Sequence, residues 1–185
     1  MLSAEDLWDA WKRNFTAWLD SHYKLTWEMS SEEWTRGVVE PYLLHLAREK
    51  MGLWIRFAQE NREGALIFDA DASTAVAHIE HENERDDISE RISALAGSAP
   101  KLKCIITYGD PKGGDPAVNR SENKELMEAW NESVMKPAIL RILSMNPDQQ
   151  WLLIFGLEYD FRKEEDWMAY LYANEGGKTS IYELD

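Results

Sequence analysis

The sequence predicts a mixed α/β domain: a central sheet of parallel and antiparallel strands flanked by helices. Three observations predict it. Stretches with the 3.6-residue helical period alternate with short runs rich in β-branched and aromatic residues, in the order ααβββαβαβββ. The first three extended runs are separated by breaks short enough for hairpins, and helical stretches stand between the next ones. Finally, 185 residues that are 44% hydrophobic and 29% charged make one ordinary folded domain with a single core. The chain shows no internal repeat, low-complexity tract or linker, and reads as one domain over 1–185: an aromatic N-terminal helix in 1–30, a core over 31–109, and a helix and strands over 110–185 that complete the sheet.

The elements follow from local signals. "SAEDLWDAWKRNFTAWLDSHY" is a helix with Ser3 as N-cap and acids in its first turn. A polar break at about 21–30 precedes "SSEEWTRGVVEPYLLHLAREKMG", a second helix capped by Ser30 or Ser31, kinked or restarted at Pro41 and stopped by Gly52. Extended runs follow at "LWIRFAQ" (53–59), "ALIFDA" (65–70) and "TAVAHIEHE" (74–82). "ERDDISERISALAG" is a short helix ending at Gly97, and "KLKCIITYG" a strand with few exposed positions. Beyond it lie a long amphipathic helix interrupted at Pro137, the apolar strand "WLLIFGLEY", and two short strands, "WMAYLYAN" and "TSIYELD". The glycine-rich loop "GDPKGGDPAVNRSEN" (109–123) is a candidate functional loop by its length.

Composition narrows the function classes. A formal net charge of −14 disfavours nucleic-acid binding through a broad basic surface but leaves room for a local patch, and a carboxylate site for a divalent metal would itself raise the acid count. Trp8, Trp11, Phe15 and Trp18 form an aromatic seam on the first helix; core packing or a self-association seam outweighs a base-stacking platform. Cys104 sits alone in an apolar strand and reads as a small core residue. No apolar run approaches the roughly 18–20 residues that span a bilayer, and the N-terminus lacks a signal peptide's apolar core, so the expectation is a cytoplasmic protein with no membrane partner.

Several motifs are set aside. "GGKTS" lacks the glycine of a phosphate-binding loop five residues before Gly177, where Tyr172 stands, and "GDPKGGD" lacks both the Lys-Ser/Thr ending and dinucleotide-loop spacing. "NFT" and "NES" match the glycosylation triplet without a secretion signal. His22, His45, His78 and His81 form no metal-binding unit, and His78 and His81 have opposite parity on their strand.

The surviving constellation is "AHIEHEN". Alternation aims Glu80 and Glu82 at one face. With "ADAS" or its central pair as the turn, Ile67 lies opposite Val76, Ala65 opposite His78, Glu63 opposite Glu80 and Asn61 opposite Glu82. One face then runs from apolar at the turn to three carboxylates at the open end, and the other (Leu66, Phe68, Ala75, Ala77, Ile79) packs on a helix. Three clustered carboxylates need a cation: a divalent Mg²⁺ or Mn²⁺, or Arg56, Arg62 or Arg85.

The order of elements and these residues together resemble the PD-(D/E)xK superfamily of nucleases and restriction endonuclease-like proteins. The matching pieces are "VVEPYLLHL" with Glu40, "REGALIFD", "AHIEHEN", "ISERISALAG" and "KLKCIITYG", covering roughly residues 31–109. The resemblance implies a restriction endonuclease-like core and hydrolysis of nucleic-acid phosphodiester bonds through a carboxylate-bound Mg²⁺ or Mn²⁺. It implies Glu80 as a metal ligand beside the backbone carbonyl of His81. Glu82 stands where most members carry a lysine, although some use Glu there and bind an additional metal. Glu82 and Glu40, the latter from the kinked helix, would position water or a second ion for in-line attack. The preceding acid is Glu63 or Asp69: Asp69 is the obvious Asp, but opposite Thr74 it stands on the order of 16–20 Å from Glu80. Lys101 and Lys103 begin the fourth strand level with Thr74, at the wrong end to replace the motif lysine. The alternative function is an inactive nuclease-like fold serving as a protein-binding or regulatory module, engaging a protein partner or a second copy.

Overall fold

Among the described residues, seven strands form one sheet whose spatial order is the order of the chain: β1 (Trp54–Phe57), β2 (Gly64–Phe68), β3 (Ala75–Glu82), β4 (Leu102–Tyr108), β5 (Gln150–Gly156), β6 (Trp167–Glu175) and β7 (Lys178–Leu184). This computed structural model describes residues 2–22, 31–57, 64–82, 88–108, 120–157 and 164–184, with backbone alone at 31, 32, 120, 121 and 164. β3, β4 and β5 are parallel, and the pairs on either side, β1–β2–β3 and β5–β6–β7, are antiparallel. The mixed sheet read from the spacing of the elements is therefore present.

Helix α1 (Ala4–His22) begins as the sequence predicts: the Asp6 N–H donates to Ser3 Oγ at 3.1 Å and the Ser3 N–H to Asp6 Oδ2 at 3.2 Å, a reciprocal cap. Helix α2 runs over 31–50 and does not break at Pro41. Instead the turn before the proline, Thr35–Val39, widens to π geometry, and the Glu40 N–H bonds the Thr35 carbonyl five residues back. Pro41 has no N–H to give, and the wider turn absorbs that loss within a continuous helix. The same device precedes Pro137 in α4 (120–145), where Asn131–Met135 is π-helical and the Lys136 N–H bonds the Asn131 carbonyl. The expected interruptions are thus wide turns.

The crossovers from β3 to β4 and from β4 to β5 are made by α3 (Ile88–Gly97) and α4, and both helices lie on the same face, as successive crossovers of one hand require. Ile88, Ile92 and Leu95 of α3 and Met127, Met135, Ile139 and Leu143 of α4 cover Ile105, Trp151, Leu153 and Phe155. On the opposite face α1 and α2 bring Trp11, Phe15, Val38 and Tyr42 against Ile67, Ala77, Ile79, Cys104, Ile106, Ile154 and Trp167. Buried on both faces, β4 and β5 need the near-continuous apolar runs the sequence shows. Cys104 is a buried core thiol, as expected. "GGKTS" is a hairpin: Gly176 and Gly177, at φ 58° and 86°, form the two-residue turn between paired Glu175 and Lys178. Among the described residues no helix is long and apolar enough to cross a membrane.

Two registers differ from the sequence reading. In the β2–β3 hairpin Gly64 pairs with Glu80, Ala65 with Ile79, Leu66 with His78 and Ile67 with Ala77, but Phe68 pairs with Ala75. A bulge between Ile67 and Phe68 shifts everything beyond it by one residue, so a register counted from the turn is correct only near the turn. Leu66 therefore shares its face with His78, and Ala65 and Ile67 join the α1–α2 core. In the parallel pair Leu102 lies beside Ala77 and Lys103 beside His78, so β4 begins three residues further along β3 than Thr74.

Candidate functional site

β3 divides its side chains between the two layers. Ala77 and Ile79 enter the α1–α2 core, and His78, Glu80 and Glu82 project toward α3. Two-residue spacing thus puts both carboxylates on one face, as the sequence predicts. They are deeply buried, Glu80 at 5% and Glu82 at 3% exposure, near the carboxyl end of β3, with buried Thr107 of β4 beside Glu82.

Such a pair needs a counter-charge, and the structure supplies Arg91 from α3. Its Nε donates to Glu82 Oε2 at 2.7 Å and its Nη1 stands 3.8 Å from Glu80 Oε2. On the other side of Glu80, His78 Nε2 lies 3.0 Å from Oε1. The four residues form a chain, His78–Glu80–Arg91–Glu82, in which Glu80 Oε2 has no hydrogen-bond donor among the described residues. Of the arginines named from the sequence, Arg56 lays its guanidinium 5.1 Å from the Phe68 ring centroid, and Arg62 and Arg85 lie outside the described residues. Arg91 escaped the sequence reading although a signal was there. Ile88, Arg91, Ile92 and Leu95 fall at i, i+3, i+4 and i+7, so the arginine occupies the sheet-facing stripe of α3.

Gly64, opposite Glu80, is what makes room. A Cβ at that position would meet Glu80 Oε1 at 2.5 Å and Cδ at 3.0 Å, so the carboxylate lies over the bare backbone. Gly64→Ala is expected to push the carboxylate off His78 and to cost about 1–2 kcal/mol, by overpacking and loss of a buried polar contact. A urea titration reads this directly, and an unchanged midpoint would show that the carboxylate moves freely.

The other residues named from the sequence fall in different places. Glu40 is half-buried on α2, across the sheet from the carboxylate pair. Asp69 closes the β2–β3 turn: its Oδ1 accepts the N–H groups of Ser73 (2.9 Å) and Thr74 (3.1 Å). It is committed to turn geometry at the far end of the hairpin from Glu80. The His81 ring faces the opposite layer, with Nδ1 3.1 Å from Thr35 Oγ1 and Nε2 3.0 Å from the Tyr108 hydroxyl. Burial, aided by the Arg91 charge, holds the imidazole down at about 3, so it is a neutral packing element. Glu63 and most of the 109–123 loop lie outside the described residues. Among the described residues, no group of three or more His, Cys, Asp or Glu is placed to hold a metal ion.

The lysines are tied elsewhere. Lys101 Nζ pairs with exposed Asp148 at 2.9 Å. Lys103, fully buried beside His78, turns its ammonium away from Glu80 and donates to the Ser98 carbonyl and hydroxyl, each at 2.7 Å. Comparison with protein-family models, curated proteins and solved structures finds no match to this chain.

Proposed function

We propose that the chain is a metal-dependent nuclease-like protein of the PD-(D/E)xK type, hydrolysing nucleic-acid phosphodiester bonds at Glu80 and Glu82 with Mg²⁺ or Mn²⁺ as cofactor. One observation carries the reading: a buried carboxylate with an oxygen lacking a hydrogen-bond donor among the described residues, two residues from a second buried carboxylate, near the carboxyl end of a strand that begins a parallel β3–β4–β5 unit. Such an oxygen suits a cation, and hard divalent ions take carboxylate oxygens. The element order supports it too: a helix bearing Glu40, an antiparallel β1–β2–β3 unit, α3 and a parallel β4 follow in the sequence the resemblance implies.

Glu80 and Glu82 would hold the ion, with Glu63 and the His81 carbonyl as the further ligands the resemblance suggests. When bound, such an ion supplies Lewis-acid stabilisation of phosphoryl charge and acidifies a water. His78 holds Glu80 through Oε1, and on this reading Glu82 would also orient the attacking water.

A second reading, a nuclease-like fold kept as a protein-binding module, draws on a specific observation: Arg91 and His78 already compensate the carboxylates. Calorimetric titration of wild type and Glu80→Ala with Mn²⁺, repeated with Mg²⁺, separates the two. Stoichiometric binding lost on substitution is the expected result. At a hundredfold excess over Kd the ion should also stabilise the wild type by about 2.7 kcal/mol. No binding to either protein overturns the catalytic reading and leaves the module.

A further inference from the structure

We propose that Arg91 is a tethered counter-ion that occupies the Glu80–Glu82 site and is displaced when a divalent cation binds, so that cation entry requires release of this α3 side chain. The inference rests on the carboxylate-site reading above and adds to it how the site is regulated.

Arg91 meets the pair unevenly. It makes a close bond to Glu82 at 2.7 Å but stands 3.8 Å from Glu80, beyond hydrogen-bond range, so it does not engage the two acids as a matched fork. Glu80, 5% exposed, keeps an oxygen that has no donor among the described residues. His78 Nδ1 is likewise buried without a hydrogen-bond partner among the described residues. The shortfall therefore lies at Glu80, which the guanidinium reaches only at 3.8 Å. A divalent ion between the same oxygens would match their charge, and it would repel a guanidinium at this separation. Arg91 can leave: its side chain is 22% exposed, unlike the almost fully enclosed carboxylates, and its long stem allows the head to reach solvent while the helix stays in place. Cation and guanidinium are then competitors for one site, and the coupling between them is a measurable free energy.

The test is a Mn²⁺ titration by calorimetry, with thermal melts at zero and saturating Mn²⁺, on wild type, Arg91→Gln, Glu80→Ala and the double variant Glu80→Gln/Arg91→Gln. Arg91→Gln is expected to bind Mn²⁺ on the order of 10- to 100-fold more tightly than wild type, to melt lower without the ion and to gain more from it. The double variant should lose both gains. Should Arg91→Gln fail to fold without the ion, folding on addition of Mn²⁺, absent from the double variant, supports the same conclusion, and no folding at any concentration overturns it. Arg91→Gln binding no more tightly than wild type, with binding still lost in Glu80→Ala, overturns the displacement and leaves the carboxylate site standing. Absence of binding in every protein overturns the displacement together with the carboxylate-site reading.

Discussion

Trp11→Ala is expected to destabilise the domain by about 3–5 kcal/mol, the cost of removing a fully buried indole and leaving a cavity that its neighbours cannot fill. Trp11 stacks on Phe15 with ring centroids 5.0 Å apart, and meets the edges of Tyr42 at 5.0 Å and Trp167 at 5.1 Å. Its carbonyl also accepts the Tyr42 hydroxyl at 3.0 Å, which ties α1 to α2. Such a loss is a large share of the roughly 5–15 kcal/mol that a domain possesses. The aromatic chain continues from Trp167 to Tyr108 and on to His81, behind the strand that carries Glu80 and Glu82. The substitution should therefore loosen the site's scaffold as well as the core. Urea denaturation monitored by circular dichroism checks the magnitude, with Leu126→Ala on the exposed side of α4 as the control expected within about 0.5 kcal/mol of wild type. A small loss at Trp11 would mean that the seam is dispensable for folding. With Trp8, Trp11, Phe15 and Trp18 all buried, the seam is core, as the simpler sequence reading held.

What the sequence disclosed and what it hid divide along a physical line. Periodicity, caps and turn residues are local, and they located the helices, the first hairpins and the alternation of helix with strand. The pairing of Glu80 with Glu82 on one face follows from strand alternation and needs nothing more. Register is not local. The bulge between Ile67 and Phe68 left Gly64 opposite Glu80, and no neighbouring residue announces it. The offset of β4 against β3 is set by how α3 packs between its ends, so the position of Lys103 depends on a whole crossover. Arg91 is the instructive omission. Its place on the apolar stripe of α3 is readable from the spacing of Ile88, Arg91, Ile92 and Leu95, whereas the cations named from the sequence are Arg56, Arg62 and Arg85. A cation on a helix stripe that packs behind a strand of alternating acids is a signal worth seeking in its own right.

The same crossover makes Lys103 the basis of a pH prediction. Its ammonium is fully buried, and burial pushes it down from 10.5 to about 8. Between those values the unfolded chain binds the proton more tightly than the folded one, so folding stability rises with pH across the window. The contribution is fully present above 10.5 and is lost as pH falls through about 8. Relative to Lys103→Met, the wild type is expected to gain at most about 3 kcal/mol between pH 8 and 10.5, read as diverging urea midpoints. Lysines on the surface titrate in both proteins and cancel in the comparison. Parallel pH profiles would show that Lys103 keeps its ordinary affinity for the proton, held by the Ser98 carbonyl and hydroxyl at the C-terminal end of α3. Diverging profiles would show that this anchor carries a desolvation cost at neutral pH. That cost falls on the connection between β4 and the helix that carries Arg91, and so on the element that must yield if the arginine is to leave the carboxylates.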